Sequence, residues 1–148
     1  MQNRYLFKAK RKDNGEWVEG FYFCMTHTDG RHTHHFIIPL GADLSLGTPV
    51  EKIQVEVDQS TICQCTGLKD KNGRVIWEND IVNGSIKRGA AFYRCLVLWN
   101  ECKARFDVRA MGCNFPMTLA ECTDDISMSG FEYEVVGNVF DNPELLEV

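Results

Sequence analysis

The chain has 148 residues, of which 44% are hydrophobic and 25% charged, and its formal net charge is −5. This length and balance are typical of one folded domain and exclude a largely disordered chain. The negative charge argues against a duplex-binding protein, because such proteins gain affinity by neutralising phosphates with Lys and Arg.

The first half of the chain alternates apolar and polar residues with a period of two, which predicts β-strands. Asn-Gly and Asp-Gly pairs between the alternating runs predict tight turns. The strands predicted here are residues 4–10, 16–23, 34–38 and 52–57. Between the last two, Gly41–Pro49 carries Gly, Asp, Ser and Pro with little periodicity, which predicts a linker or mobile loop.

The second half continues in the same way, with strands predicted at residues 90–99, 104–109 and 131–140. Pro116–Cys122 is the single stretch that could form a helix, of about two turns. Several short strands separated by turn signals favour an all-β sandwich or a small barrel.

Three stretches of the chain carry a family pattern: Lys10–Gly20, the run from Gln64 through Val82, and Glu134–Leu146. In these stretches the chain resembles the YopX family, small proteins encoded largely by bacteriophages and prophages. Cys65 departs from the family pattern by standing where a Tyr usually precedes Thr-Gly-Leu. Asn79 stands where the family usually has Gly, and Asn tolerates the positive φ of such a turn.

The resemblance implies a mostly β fold with a barrel-like part, a phage or prophage origin and no established biochemical activity. We therefore expect one all-β YopX-like domain over residues 1–148, mainly of antiparallel strands. It would have a small barrel-like C-terminal part and at most one short helix. Candidate sub-lobes are a β-meander over residues 1–57 and the barrel-like part over residues 60–148.

A basic and aromatic cluster is the first candidate site. Lys8 and Lys10 share one strand face, Arg11 is adjacent and Trp17 follows after the turn. These four residues could hold single-stranded nucleic acid by charge and stacking. We favour the structural alternative, in which lysines protect a sheet edge from pairing with other chains.

A histidine cluster is the second candidate. His27, His32, His34 and His35 fall within nine residues, just after Cys24. His27, His32 and His34 are the candidate metal ligands, and His35 lies on the opposite strand face from His32 and His34. No second cysteine pair follows at zinc-site spacing, so an incidental cluster on a polar, partly exposed hairpin is the favoured interpretation.

The run from Gln64 to Val82 gathers turns and acidic residues, but each has a structural explanation. Cys63 and Cys65 are predicted to be core residues, because unpaired cysteines are usually buried. Asp80 is predicted to accept backbone N–H groups at the turn into a strand. The run is therefore interpreted as a signature of the fold and not as an active site.

The sequence contains no catalytic constellation and no phosphate-binding glycine motif. We expect a non-enzymatic accessory protein that binds a host or phage macromolecule without a cofactor, with Gly41–Pro49 as a candidate contact surface. The alternatives are a β-barrel that binds single-stranded nucleic acid, which could also use Trp99 and Arg105, and a metal-dependent enzyme built on His27–His35.

The remaining expectations concern location and assembly. The chain lacks an apolar run long enough to span a bilayer and has no signal-peptide pattern at its start. Seven cysteines, an odd number, fit a reducing compartment better than a disulfide framework. These features predict a cytoplasmic protein without a membrane partner, and they leave homo-oligomerisation open.

Overall fold

The computed structural model describes residues 4–43, 45–86, 92–113, 116–119 and 131–147. Within these ranges the chain is mostly antiparallel strand with short 3₁₀ helices at Val50–Lys52, Gln59–Thr61 and Pro143–Leu146, so the all-β prediction is confirmed. The strands are β1 (Phe7–Lys10), β2 (Trp17–Thr26), β3 (Thr33–Pro39), β4 (Val55–Glu56), β5 (Cys63–Lys69), β6 (Val75–Trp77), β7 (Asp80–Ile86), β8 (Phe92–Asn100), β9 (Arg105–Ala110), β10 (Met117–Thr118) and β11 (Phe131–Asn138).

Two compact units make up the chain, the first ending at Cys65 and the second beginning at Thr66. Strand β5 contains this boundary, so its first three residues belong to the first unit and its last four to the second. The finer division into residues 1–57 and 60–148 stays a prediction.

The first unit is an antiparallel sheet with the strand order β4-β3-β2-β1-β5. Strand β1 pairs with the Trp17–Gly20 part of β2, whereas β3 pairs with the Gly20–Thr26 part. Beyond Gly20, β2 therefore has β3 as its strand neighbour among the residues described. We call this distal part of β2 and β3 the hairpin arm.

One face of this sheet forms the core of the first unit. Phe7 and Tyr22 pack there against a buried cluster made of Ala9, Val18, Ile37 and Val57. Gly20 is required at the base of the hairpin arm, because a Cβ at this position would collide with the backbone carbonyl oxygen of Ile38. The glycine thus lets β3 approach β2 closely.

The second unit contains a sheet with the strand order β10-β9-β8-β7-β11, and it also contains β6 beside the end of β5. Its core consists of Ile76, Val82, Cys95, Val97, Val108, Leu119, Tyr133 and Val135. In the residues described, β10 and β11 are the edges of the sheet and do not pair with each other. The expected barrel-like part is therefore an open sheet there, because a barrel closes only when its edge strands pair.

Two local predictions need correction. Residues 52–57 were expected to form one strand, but Lys52 ends a 3₁₀ helix and only Val55–Glu56 forms β4. The predicted helix at Pro116–Cys122 begins instead with strand β10, which pairs with β9, and residues 120–122 lie outside the described residues. In the first place local hydrogen bonds from the N–H groups of Lys52 and Ile53 to the carbonyls of Pro49 and Val50 form the helical turn. In the second, backbone pairing with β9 overrides the local pattern.

Within the described part of the chain, no helix has the length and apolar character needed to cross a membrane.

Candidate functional site

The register of the hairpin arm places apolar side chains and imidazoles together on the face opposite the core. Phe21 pairs with Ile38, Phe23 with Phe36, and Met25 with His34. Because side chains alternate along a strand, His27 and His32 continue the same face at the distal end. We call this set the hairpin face: Phe21, Phe23, Met25, His27, His32, His34, Phe36 and Ile38.

Aromatic contacts join the side chains of the hairpin face across the two strands. The rings of Phe23 and Phe36 stack with their centroids 5.3 Å apart. The ring of His34 lies 6.3 Å from that of Phe36 and 5.2 Å from that of His27. Phe21 and Met25 are nevertheless 52% and 49% exposed. The face is therefore ordered by its own contacts and still presents apolar surface to solvent.

A shallow cavity of about 370 Å³ opens at the distal part of the face and is lined by Met25, Thr26, His27, His34 and Phe36. Its walls combine a thioether, an aromatic ring and two imidazoles. Such a mixture suits an apolar or aromatic side chain that carries a polar group at one end.

Charged groups orient His34 at the edge of this cavity. Nδ1 of His34 lies 2.8 Å from Oε1 of Glu56, and Nζ of Lys12 lies 3.0 Å from the same oxygen. The hydrogen bond from His34, followed by that from Lys12, holds the pKa of the Glu56 carboxyl below its usual value. Glu56 is therefore ionised near neutral pH and fixes the His34 ring.

The fourth histidine, His35, lies on the opposite side of the hairpin arm. Nδ1 of His35 lies 2.7 Å from the hydroxyl of Tyr22, and the two rings stack 5.9 Å apart. Burial, followed by the hydrogen bond with Cys24, raises the pKa of Tyr22. His35 and Cys24 thus lie on the core side of the arm, away from the other three histidines.

The predicted basic and aromatic cluster comes together only in part. The ammonium groups of Lys8 and Lys10 lie 5.0 and 5.5 Å from the ring centroid of Trp17. Arg11 instead forms a two-pronged ion pair with Asp13 beside the turn. Since both ammonium groups already contact the indole ring, this arrangement stabilises the pairing of β1 with β2 by cation–π interaction.

The predicted metal ligands lie near one another but do not have the geometry of a metal-binding site. His27, His32 and His34 share the hairpin face, with the His27 and His32 ring centroids 6.1 Å apart. Among the described residues, no three His, Cys, Asp or Glu side chains converge in a geometry that could hold a metal ion.

The Gln64–Val82 run has the backbone roles that the sequence predicted. Asp80 is 2% exposed and accepts the N–H of Trp77 at 2.8 Å, next to Asn79 with a positive φ of 65°. Cys63 and Cys65 are buried. The predictions for Asp80 and for the two cysteines are confirmed, whereas the interpretation that the run is not an active site stays a prediction.

Sequence reasoning missed the role of Asp70 in this run. Its two carboxylate oxygens accept the N–H groups of Asn72, Arg74 and Val135, each at 2.9 Å. Burial opposes ionisation of the carboxyl, but the N–H groups of Val135, Arg74 and Asn72 outweigh it and lower the pKa of Asp70. The side chain thus joins the β5–β6 turn to β11.

Sequence reasoning also missed the apolar part of the hairpin face. A signal was present in the sequence, because Phe21-Tyr22-Phe23 and Phe36-Ile37-Ile38 are runs of consecutive apolar residues. Such runs give a strand apolar side chains on both faces, whereas a strand that is buried on one face needs them on that face alone. The predicted contact loop Gly41–Pro49 follows β3, and its Leu46 side chain is fully exposed. Residue 44 of this loop lies outside the described residues.

The fold defines an all-β protein composed of two units of antiparallel strands. The chain belongs to the YopX family, whose model matches residues 6–147. The fold is similar to that of protein yopX from Bacillus subtilis, which is 15% identical, with a TM-score of 0.57 over 97% of this chain and 99% of that chain. It is also similar to protein EF1440 from Enterococcus faecalis, which is 23% identical, with a TM-score of 0.50 over 95% of this chain and 96% of that chain.

A comparison with curated proteins found no match.

Proposed function

We propose that this protein is a non-enzymatic, phage- or prophage-derived accessory protein that binds another protein through the hairpin face. The observation that carries the proposal is the exposure of Phe21 and Met25 in a continuous row of apolar side chains. Folding gains little from exposed apolar side chains, whereas large contiguous patches of them are typical of binding surfaces.

The composition of the hairpin face favours a protein partner. Aromatic residues and Met are enriched at the centre of protein interfaces, and lysine is depleted there. None of the eight residues of the hairpin face is Lys or Arg. A nucleic-acid surface would need such cations to neutralise phosphates. Lys8 and Lys10 lie on the same side of the sheet but outside the hairpin face, where their ammonium groups already contact the Trp17 ring.

The pairing of the two strands supplies the preorganisation that such a surface needs. Phe23 and Phe36 are half-buried and stack on each other, so their positions are set before a partner arrives. Phe21 and Met25 then lie beside this pair with their surface exposed. A rigid centre of this kind reduces the entropy that binding costs.

Affinity capture tests the proposal. Tagged protein is incubated with a lysate of the bacterium that carries its gene, and retained proteins are titrated for saturation. We expect the wild type to retain a protein whose binding is saturable. The double variant Phe21→Ser, Met25→Ser should bind that protein with at least tenfold lower affinity. The variant Tyr93→Ser serves as the matched control, because Tyr93 is 49% exposed on β8 of the second unit.

Two results would overturn the proposal. One is the absence of any saturable protein partner for the wild type. The other is an equal loss of binding in the Tyr93→Ser control and in the hairpin variant. A low-salt mobility-shift titration with single-stranded oligonucleotides adds an independent test, since a saturable shift that depends on Lys8 and Lys10 would favour the nucleic-acid alternative.

A further inference from the structure

Three imidazoles lie near one another at the distal end of the hairpin face. The ring centroids of His27 and His34 are 5.2 Å apart, and those of His27 and His32 are 6.1 Å apart. With Zn–N bonds of about 2.0–2.1 Å, two imidazoles on one tetrahedral ion have ring centres on the order of 5 Å apart. The spacing of His27 from each of the other two rings is therefore close to that of two imidazoles on a shared ion.

Carboxylates fix the hydrogen positions of two of these rings. Nδ1 of His32 lies 2.8 Å from Oδ2 of Asp29, as Nδ1 of His34 does from Oε1 of Glu56. An ionised carboxylate only accepts hydrogen bonds, so each Nδ1 carries the hydrogen and the neutral ring has its lone pair on Nε2. Metal-binding histidines typically have such a carboxylate behind the ring.

The carboxylates are themselves held in place. Asp29 also accepts the N–H of Arg31 at 2.9 Å, within the turn that joins β2 to β3. Lys12 contacts the same oxygen of Glu56 as His34 does. The support behind His32 and His34 is thus built from the turn and from neighbouring chain segments, and it does not depend on the imidazoles alone.

We propose that His27, His32 and His34 bind one divalent transition-metal ion of the zinc class through their Nε2 atoms. This metal site uses the distal part of the hairpin face, but it does not depend on the protein contact proposed above. Imidazole nitrogens are preferred ligands for such ions, and water completes the coordination. The cavity of about 370 Å³ beside His27 and His34 has room for the ion and its water ligands.

Binding requires a small rearrangement, because no three donor side chains converge on one point among the residues described. His27 is exposed, and exposed side chains change rotamer within picoseconds to nanoseconds. Its ring turns toward His32 and His34, which keep their hydrogen bonds to Asp29 and Glu56. Because this ligand must be ordered on binding, affinity is weaker than at a preformed structural zinc site.

Isothermal titration of the full chain with zinc chloride tests the proposal. We expect one ion per chain, and at least a tenfold loss of affinity in the double variant His27→Ala, His34→Gln. Circular dichroism and the midpoint of thermal unfolding check that the variant keeps its fold. In long-range ¹H–¹⁵N spectra, Nε2 of the three histidines should shift on zinc addition while the nitrogens of His35 stay unchanged.

The core side of the hairpin arm offers two matched controls. His35→Asn keeps an acceptor for Tyr22, and Cys24→Ser removes the exposed thiol that could bind zinc independently. Both variants should bind zinc within twofold of the wild type. Absence of saturable binding in the wild type, retention of binding by the double variant, or loss of binding in Cys24→Ser would each overturn the proposal.

Discussion

The Gln64–Val82 run and the hairpin face both gather polar groups around turns, but their side chains have different partners. In the run, polar side chains bind the backbone: Thr66 donates to the carbonyl of Ile76, and Asp70 accepts three N–H groups. On the hairpin face, imidazoles bind the carboxylates of Asp29 and Glu56, and apolar groups meet solvent. Folding accounts for the first pattern and leaves the second to be explained by binding.

Removing Asp70 is the strongest test of the first half of this comparison. The side chain is 8% exposed, so Asp70→Ala leaves the buried N–H of Val135 and the partly buried N–H groups of Asn72 and Arg74 without their acceptor. We expect the free energy of unfolding in urea to fall by about 2–4 kcal/mol, since unsatisfied buried donors are costly. Asp13→Ala, in the similar but exposed Asn-Gly turn, should leave the urea midpoint unchanged. Equal effects of the two substitutions would contradict this distinction.

Substitution of Gly20 tests whether the hairpin arm depends on close strand approach. Gly20→Ala should lower the free energy of unfolding by about 2–3 kcal/mol, because the added methyl group collides with the backbone of Ile38. Gly15→Ala is the comparison, since Gly15 has open space around it and a φ of 73°. It should cost about 1–2 kcal/mol from its left-handed backbone alone. A milder effect at Gly20 than at Gly15 would show that β3 can move away from β2.

Ionisation of the Asp70 carboxyl should make stability depend on pH, with a smaller change than the substitutions above produce. The folded protein lowers the pKa of this group, so its contribution is complete above the unfolded aspartate value of about 3.9. The contribution is lost as the pH falls through the lower, folded value. Between pH 5 and pH 3, the urea midpoint of the wild type should therefore fall more than that of Asp70→Asn. If the urea midpoints of the two proteins fell equally with pH, other carboxyl groups would be responsible for the acid sensitivity.

Much of the fold could be predicted because burial of one sheet face imposes a period of two on the sequence. Strands β8 and β9 could be predicted from this period of two. Strand β1 could also be predicted, although it begins at Phe7 and not at residue 4. The hairpin arm could not be assigned in this way, because Phe21-Tyr22-Phe23 is apolar at both parities. Pairing with β1 settles the choice: it aligns Ala9 with Val18, which places Tyr22 in the core and Phe21 and Phe23 outside.

The candidate sites show the same limit of sequence reasoning. Lys8, Lys10 and Trp17 could be grouped in advance, because the lysines share a strand parity and the Asn-Gly turn returns the chain to them. Arg11 has the opposite parity, and its ion pair with Asp13 is seen only in the structure. The three bonds to Asp70 include one from Val135, 65 positions away, and no local pattern encodes a contact at that separation.

The smallest expected effect on stability belongs to the hairpin face itself. Phe21→Ser combined with Met25→Ser should change the free energy of unfolding by no more than about 0.5 kcal/mol, since both residues lie on the solvent side of the arm and are about half exposed. On the core side of the same arm, Ile37→Ala removes a fully buried side chain and should cost about 2–5 kcal/mol. Urea unfolding of both variants checks the contrast. A loss above 1 kcal/mol in the double serine variant would mean that these side chains stabilise the fold, and a defect in partner capture could then no longer be attributed to a lost contact.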